Sequence, residues 1–164
     1  VAFNPNTGLV YTSAWHVPRI QQLDPQQEQV LGGRSTGVNN RFPTVEPGDL
    51  LGHFVAINPL TGEKLWEIPL TDFPSSAGML VTGGGLLFTG KPTGEFLGLD
   101  EATGETLWQF QTGSSINSTA ITYTHNGQQY VSVASGLGGS QATRYAKGQV
   151  PTGGSVWTFA LMPG

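Results

Sequence analysis

The chain of 164 residues contains no cysteine. That excludes a disulfide framework, a thiolate metal site and a cysteine nucleophile. Charge is also scarce: 11% of residues are Asp, Glu, Lys or Arg, against about 25% in an ordinary domain. Coiled coils and long-helix bundles need Glu, Lys, Ala and Leu in bulk, so both are excluded. A net charge of −4 leaves no basic stripe for nucleic acid. No apolar run reaches the length of a membrane-spanning helix, and Val1 to Pro5 carry neither a basic nor an apolar leader pattern. What is present in excess is glycine and proline, 24 and 11 residues. Hydrophobic residues make up 37%, which is enough for a packed core and excludes a mostly disordered chain.

The chain repeats itself. Ala56-Ile57-Asn58-Pro59-Leu60-Thr61-Gly62-Glu63-Lys64-Leu65-Trp66 aligns with Gly98-Leu99-Asp100-Glu101-Ala102-Thr103-Gly104-Glu105-Thr106-Leu107-Trp108. The two tryptophans lie 42 residues apart, the spacing of a four-stranded propeller blade of about 40–45 residues. Residues 53–57 and 95–99 read as strands, and 64–68 and 106–110 as their returns. Asn58 and Asp100 open the intervening turns by bonding their own backbone, and Gly62 and Gly104 take the positive φ. Further strands are predicted at 9–13, 79–81, 86–89, 119–123, 129–134 and 155–161. His125-Asn126-Gly127-Gln128 is the strongest hairpin signal. No segment holds a helical period beyond two turns. The expected class is all-β, with long loops at 18–50 and 136–154 that are not strand-like. At about 42 residues per blade the chain holds fewer than four, whereas closed propellers need four to eight.

The pattern Asp/Asn-x-x-Thr-Gly-x-x-x-Trp resembles the tryptophan-docking repeat of quinoprotein dehydrogenases. The chain is similar nearly end to end to the C-terminal part of the PQQ-dependent methanol/ethanol dehydrogenase family. Asn4-Pro5-Asn6-Thr7-Gly8-Leu9-Val10-Tyr11 and Gly83-Gly84-Gly85-Leu86-Leu87-Phe88-Thr89-Gly90 resemble its blade-opening segments. Phe110-Gln111-Thr112-Gly113-Ser114-Ser115, the stretch from Gln129 to Gly139, and Gly153-Gly154-Ser155-Val156-Trp157-Thr158-Phe159 also match, in the family's order. The resemblance implies a partial β-propeller: two to three four-stranded blades of an eight-bladed ring, spanning 1–164. It implies PQQ on the ring axis with Ca²⁺ or a lanthanide, held by a carboxylate pair and an Asn that precede this part. It further implies a periplasmic enzyme oxidising small alcohols and passing electrons to an acceptor such as a cytochrome c. No catalytic residue and no metal ligand is then expected within the chain, which would supply scaffold and one cofactor wall.

Cofactor-facing positions also follow from the resemblance. The family's quinone-contacting Asn falls near Trp15, and its tryptophan under the PQQ ring falls on Ser76. A glycine pair near the cofactor corresponds to Gly138 and Gly139. Only the glycines match. The first departure removes a polar contact and the second a stacking floor. Trp15 is then either a replacement stacking surface or a core aromatic. Trp66 and Trp108 read as structural indoles that pack between sheets and donate to backbone.

Other residues carry little chemistry. His16, His53 and His125 show no metal-binding spacing; His53 reads as a sheet-edge residue and His125 as a solvated turn residue, while His16 adjoins the cofactor-facing segment. Asp24, Asp49, Asp72 and Asp100 form no calcium loop, and Gly83-Gly84-Gly85 lacks the Lys-Ser/Thr of a phosphate loop. Arg144 and Tyr145 lie in the second Gly-rich loop. Two further readings remain open. One is a non-catalytic propeller scaffold that binds protein partners, as in outer-membrane assembly lipoproteins with related repeats. The other is a chain that pairs its free sheet edges with other copies of itself.

Overall fold

The computed structural model describes residues 1–25, 31–32, 36–46, 48–72, 74–137 and 150–160. Every regular element among them is a strand: β1 Ala2–Asn4, β2 Leu9–Trp15, β3 Ile20–Leu23, β4 Val38–Arg41, β5 Gly52–Ile57, β6 Lys64–Leu70, β7 Leu80–Val81, β8 Leu86–Gly90, β9 Glu95–Asp100, β10 Thr106–Gln111, β11 Ile121–His125, β12 Gln128–Gly136 and β13 Gly154–Ala160. All neighbouring strands run antiparallel. They make two four-stranded sheets, β1-β2-β5-β6 and β7-β8-β9-β10, a three-stranded sheet β11-β12-β13, and a separate hairpin β3-β4.

The repeat builds the first two sheets in the same way. Asn58 Oδ1 accepts the amides of Leu60 at 3.0 Å and Thr61 at 3.4 Å. Asp100 Oδ1 accepts those of Ala102 and Thr103, both at 2.9 Å. Gly62 and Gly104 close these turns with φ of 76° each. The irregularity in pairing falls at Ala56/Ile57 in one sheet and Thr106/Trp108 in the other. Asn126 and Gly127 turn β11 into β12 with φ of 48° and 77°, the double positive φ that suits the strand twist.

The sheets stack face to face. Tyr11, Phe54, Leu70, Met79, Leu87, Leu97 and Leu99 fill the space between the first and second. Phe96, Ile116, Ala120 and Val133 fill that between the second and third, with Trp157 and Phe159 packed against them. Strand β9 serves both cores because its side chains alternate: Leu97 and Leu99 point one way and Phe96 the other.

Three expectations need correction. The stretch 18–50 is not all loop, because β3 and β4 pair within it, Ile20 opposite Arg41. Their Gln and Asn pairs carry no apolar alternation, so nothing in the sequence marks them as strands. His53 is not at a sheet edge: β5 lies between β2 and β6. The strand expected at 119–123 is displaced to Ile121–His125. Of the loop expected at 136–154, residues 138–149 lie outside the described residues.

Candidate functional site

At the end of the stack where β2 and β8 finish, a polar rim crosses from the first sheet to the third. Trp15 closes β2 and is 36% exposed. Its indole Nε1 donates to the Ser75 carbonyl at 2.7 Å, which fixes the ring over the segment leading into the second sheet. Ser75 is fully buried and donates from Oγ to the Gly90 carbonyl at 3.0 Å, at the end of β8. It also accepts the Ala77 amide at 3.2 Å. Ser76, next to it, is exposed and donates to Asn117 Oδ1 at 3.1 Å. The Asn117 amide in turn donates to Ser115 Oγ at 2.8 Å. The Ser115 carbonyl accepts the Gly136 amide at 2.7 Å, at the end of β12.

Two of the four positions expected to face the cofactor are brought together: Trp15 sits on the backbone beside Ser76. Gly138 and Gly139 lie outside the described residues, as do Arg144 and Tyr145. Trp15 is held as a half-exposed surface ring and not as a core aromatic. Ser75, Ser115 and Asn117 escaped the sequence reading. Their signal is a run of small polar residues after each outer strand, which reads as ordinary loop. The rim is neutral, built from an indole, hydroxyls and an amide. It offers an aromatic face with hydrogen-bonding groups alongside.

Beside Trp15 the structure joins residues that the sequence leaves apart. His16 Nε2 lies 2.8 Å from His53 Nδ1, and His53 Nδ1 lies 3.1 Å from Glu67 Oε1. The other carboxylate oxygen of Glu67 accepts Lys64 Nζ. That bond is the main reason the Glu67 carboxyl lies below its usual value. Desolvation holds His53 below its ordinary value against the opposing pull of Glu67.

The packing of the two repeated tryptophans differs. Trp66 Nε1 donates to the Glu101 carbonyl of the next repeat at 2.9 Å, and its ring lies on Gly104. Trp108 meets Phe159 edge-on at 5.0 Å and is 40% exposed. Glu101, a buried carboxylate with no motif to single it out, receives the Asn4 amide on both oxygens at 3.0 and 2.8 Å, tying the first sheet to the second.

This architecture has relatives. The family described as "Glucose/ethanol/alcohol dehydrogenase, beta-propeller domain" matches residues 51–131. The quinoprotein alcohol dehydrogenase PedH of Pseudomonas putida is 33% identical over 98% of the chain and 27% of its own length. A 1-butanol dehydrogenase (cytochrome c) of Thauera butanivorans is 31% identical over 98% of the chain and 24% of its own length. Among solved structures, a europium-containing methanol dehydrogenase superposes with a TM-score of 0.84 at 30% identity, covering 98% of the chain and 32% of that protein. The chain thus spans about a quarter of the length of the curated relatives it matches.

Proposed function

The chain is a β-propeller portion of the quinoprotein alcohol dehydrogenase family, and from that premise we propose that it supplies C-terminal blades, residues 1–164, and one cofactor wall to a PQQ-dependent alcohol dehydrogenase. The supporting observation is the rim: a half-exposed indole pinned by Ser75, with the Ser76 hydroxyl and the Asn117 amide beside it. These groups fit the flank of a planar, polar quinone, since an aromatic face stacks and hydroxyls and amides meet carbonyl oxygens. In this reading Trp15 flanks the ring, replacing the stacking floor lost at Ser76. Gly138 and Gly139, which lie outside the described residues, complete the proposed set by resemblance alone.

Trp15, Ser76 and Asn117 would flank PQQ if it were bound, and the cofactor would supply hydride-acceptor chemistry toward an alcohol with a metal ion as Lewis acid. Among the described residues the rim itself holds no carboxylate, and in this reading the base and the carboxylates that hold Ca²⁺ or a lanthanide come from other blades. The isolated chain should therefore bind but not turn over. Small alcohols as substrates, a cytochrome c acceptor and a periplasmic setting belong to the same proposal. A second reading, a non-catalytic scaffold that binds protein partners, is favoured by the neutrality of the rim and by serine at position 76.

Titrating the chain with PQQ plus Ca²⁺ separates the two. Saturable change in quinone absorbance, a raised Tm and loss of both in Trp15→Ala are expected of a cofactor wall. Absence of binding, or binding indifferent to Trp15→Ala, would favour the scaffold.

A further inference from the structure

We propose that His16, His53 and Glu67 form a site for a divalent transition-metal ion of the Zn²⁺ or Cu²⁺ class. The site follows from strand register. His53 on β5 stands opposite Ala14 of β2 and Pro69 of β6. His16 is two residues beyond Ala14, and Glu67 two residues before Pro69. With a pleat of period two, all three therefore project from the same face, as diagonal neighbours within reach of long side chains. The His16 amide donates to the Leu51 carbonyl at 2.9 Å, which carries the pairing one step past β2 and holds His16 in this register. Phe54 and Ala56, alternating with His53, point into the core.

The three donor atoms lie within 4.8 Å of one another. A tetrahedral ion with bonds of about 2.0–2.2 Å sets its ligands roughly 3.3–3.5 Å apart. The two nitrogens at 2.8 Å and the nitrogen–oxygen pair at 3.1 Å, which share His53 Nδ1, open by a few tenths, while the His16 and Glu67 donors, within 4.8 Å of each other, draw together by about an ångström. One proton arrangement satisfies both contacts in the metal-free chain: His53 Nδ1 carries a hydrogen shared between the His16 Nε2 lone pair and the Glu67 carboxylate. A cation in place of that hydrogen meets three lone pairs at once.

The donor set selects the ion. Two imidazoles and one carboxylate, with further positions open to water, suit Zn²⁺ and Cu²⁺. Ca²⁺ prefers an all-oxygen shell. Lys64 occupies one oxygen of Glu67 and leaves Oε1 turned to the histidines. His53 is partly buried, with its side chain 11% exposed.

Isothermal titration of the full chain with Zn²⁺, and with Ca²⁺ in parallel, tests the site. One equivalent of Zn²⁺ should bind, raise Tm, and bind without competition from Ca²⁺. Loss of a group supporting a metal ligand costs about 10–100-fold in affinity, so His16→Ala and His53→Ala should each weaken Zn²⁺ by at least about tenfold. His125→Ala, at the exposed β11–β12 turn, should not. His16 is exposed, so its variant decides the matter even where His53→Ala does not fold. No Zn²⁺ binding, equal Ca²⁺ binding, or affinity that survives His16→Ala would overturn the proposal.

Discussion

Asn58 and Asp100 perform one task with different charge. Each opens a turn by accepting amides on a side-chain oxygen, but Asp100 also accepts the Thr103 hydroxyl at 3.0 Å. The Thr103 amide and then its hydroxyl hold the Asp100 carboxyl below its usual value. A carboxylate with a lowered native pKa contributes stability above its unfolded value of about 3.9, and that contribution is lost as pH falls through the native value. Asp100→Asn keeps the turn oxygen and removes the titration. Urea unfolding at pH 7 should find the wild type more stable than Asp100→Asn, with the gap closing below about pH 3. A gap that persists there would mean that the charge is not what the turn uses.

At the scale of elements, the first and second sheets are joined by Trp66 lying on the turn of the next repeat. A Cβ at Gly104 would come within 2.9 Å of the Trp66 ring. Gly62 occupies the equivalent turn with the same φ, and a Cβ there meets nothing within 4 Å. Gly62→Ala should therefore cost only left-handed strain, about 1–2 kcal/mol. Gly104→Ala should cost more, because the indole must also move. Equal losses in urea titrations would show that the contact between sheets contributes nothing. This pairing was legible in the sequence, since the repeat carries its turn residues, glycine and tryptophan at fixed offsets. Likewise Asn126-Gly127 announced the β11–β12 hairpin. The fate of Trp108 was not legible, because the third sheet offers it Phe159 in place of a third copy of the turn. Nor was the histidine pair. His16 and His53 meet only through the register of β2 with β5, which depends on how the chain returns from residues 16–51. Spacing along the sequence says nothing about that return.

At the scale of the molecule, two sheets have four strands and the third has three among the described residues. Among the described residues, β13 has a partner on one side only. Val156 on this strand is 74% exposed. Beside it an apolar groove lined by Leu86, Phe88, Leu107, Trp108, Val131 and Phe159 opens between the second and third sheets. An unpaired edge next to an apolar surface invites another strand, and charge on the edge is the usual deterrent. The chain should therefore self-associate with rising concentration. Light scattering should report a mass that grows with concentration for the wild type and grows less for Val156→Lys. A constant monomeric mass for the wild type would remove the idea.

The pairing of Trp15 with Gly52 means that the chain leaves the first sheet and returns to it through a single doorway. The doorway is narrow: a Cβ on Gly52 would sit 2.5 Å from the Ala14 carbonyl oxygen. The described residues between, the β3–β4 hairpin included, leave and rejoin the sheet at two adjacent points. For such a tethered excursion the closure entropy grows only with the logarithm of length, about 0.6 kcal/mol per doubling. Residues can thus be added to or removed from it at little thermodynamic penalty while the sheet beneath keeps its register. The fold has in effect a docking port for sequence novelty, with Trp15 and His16 on its threshold.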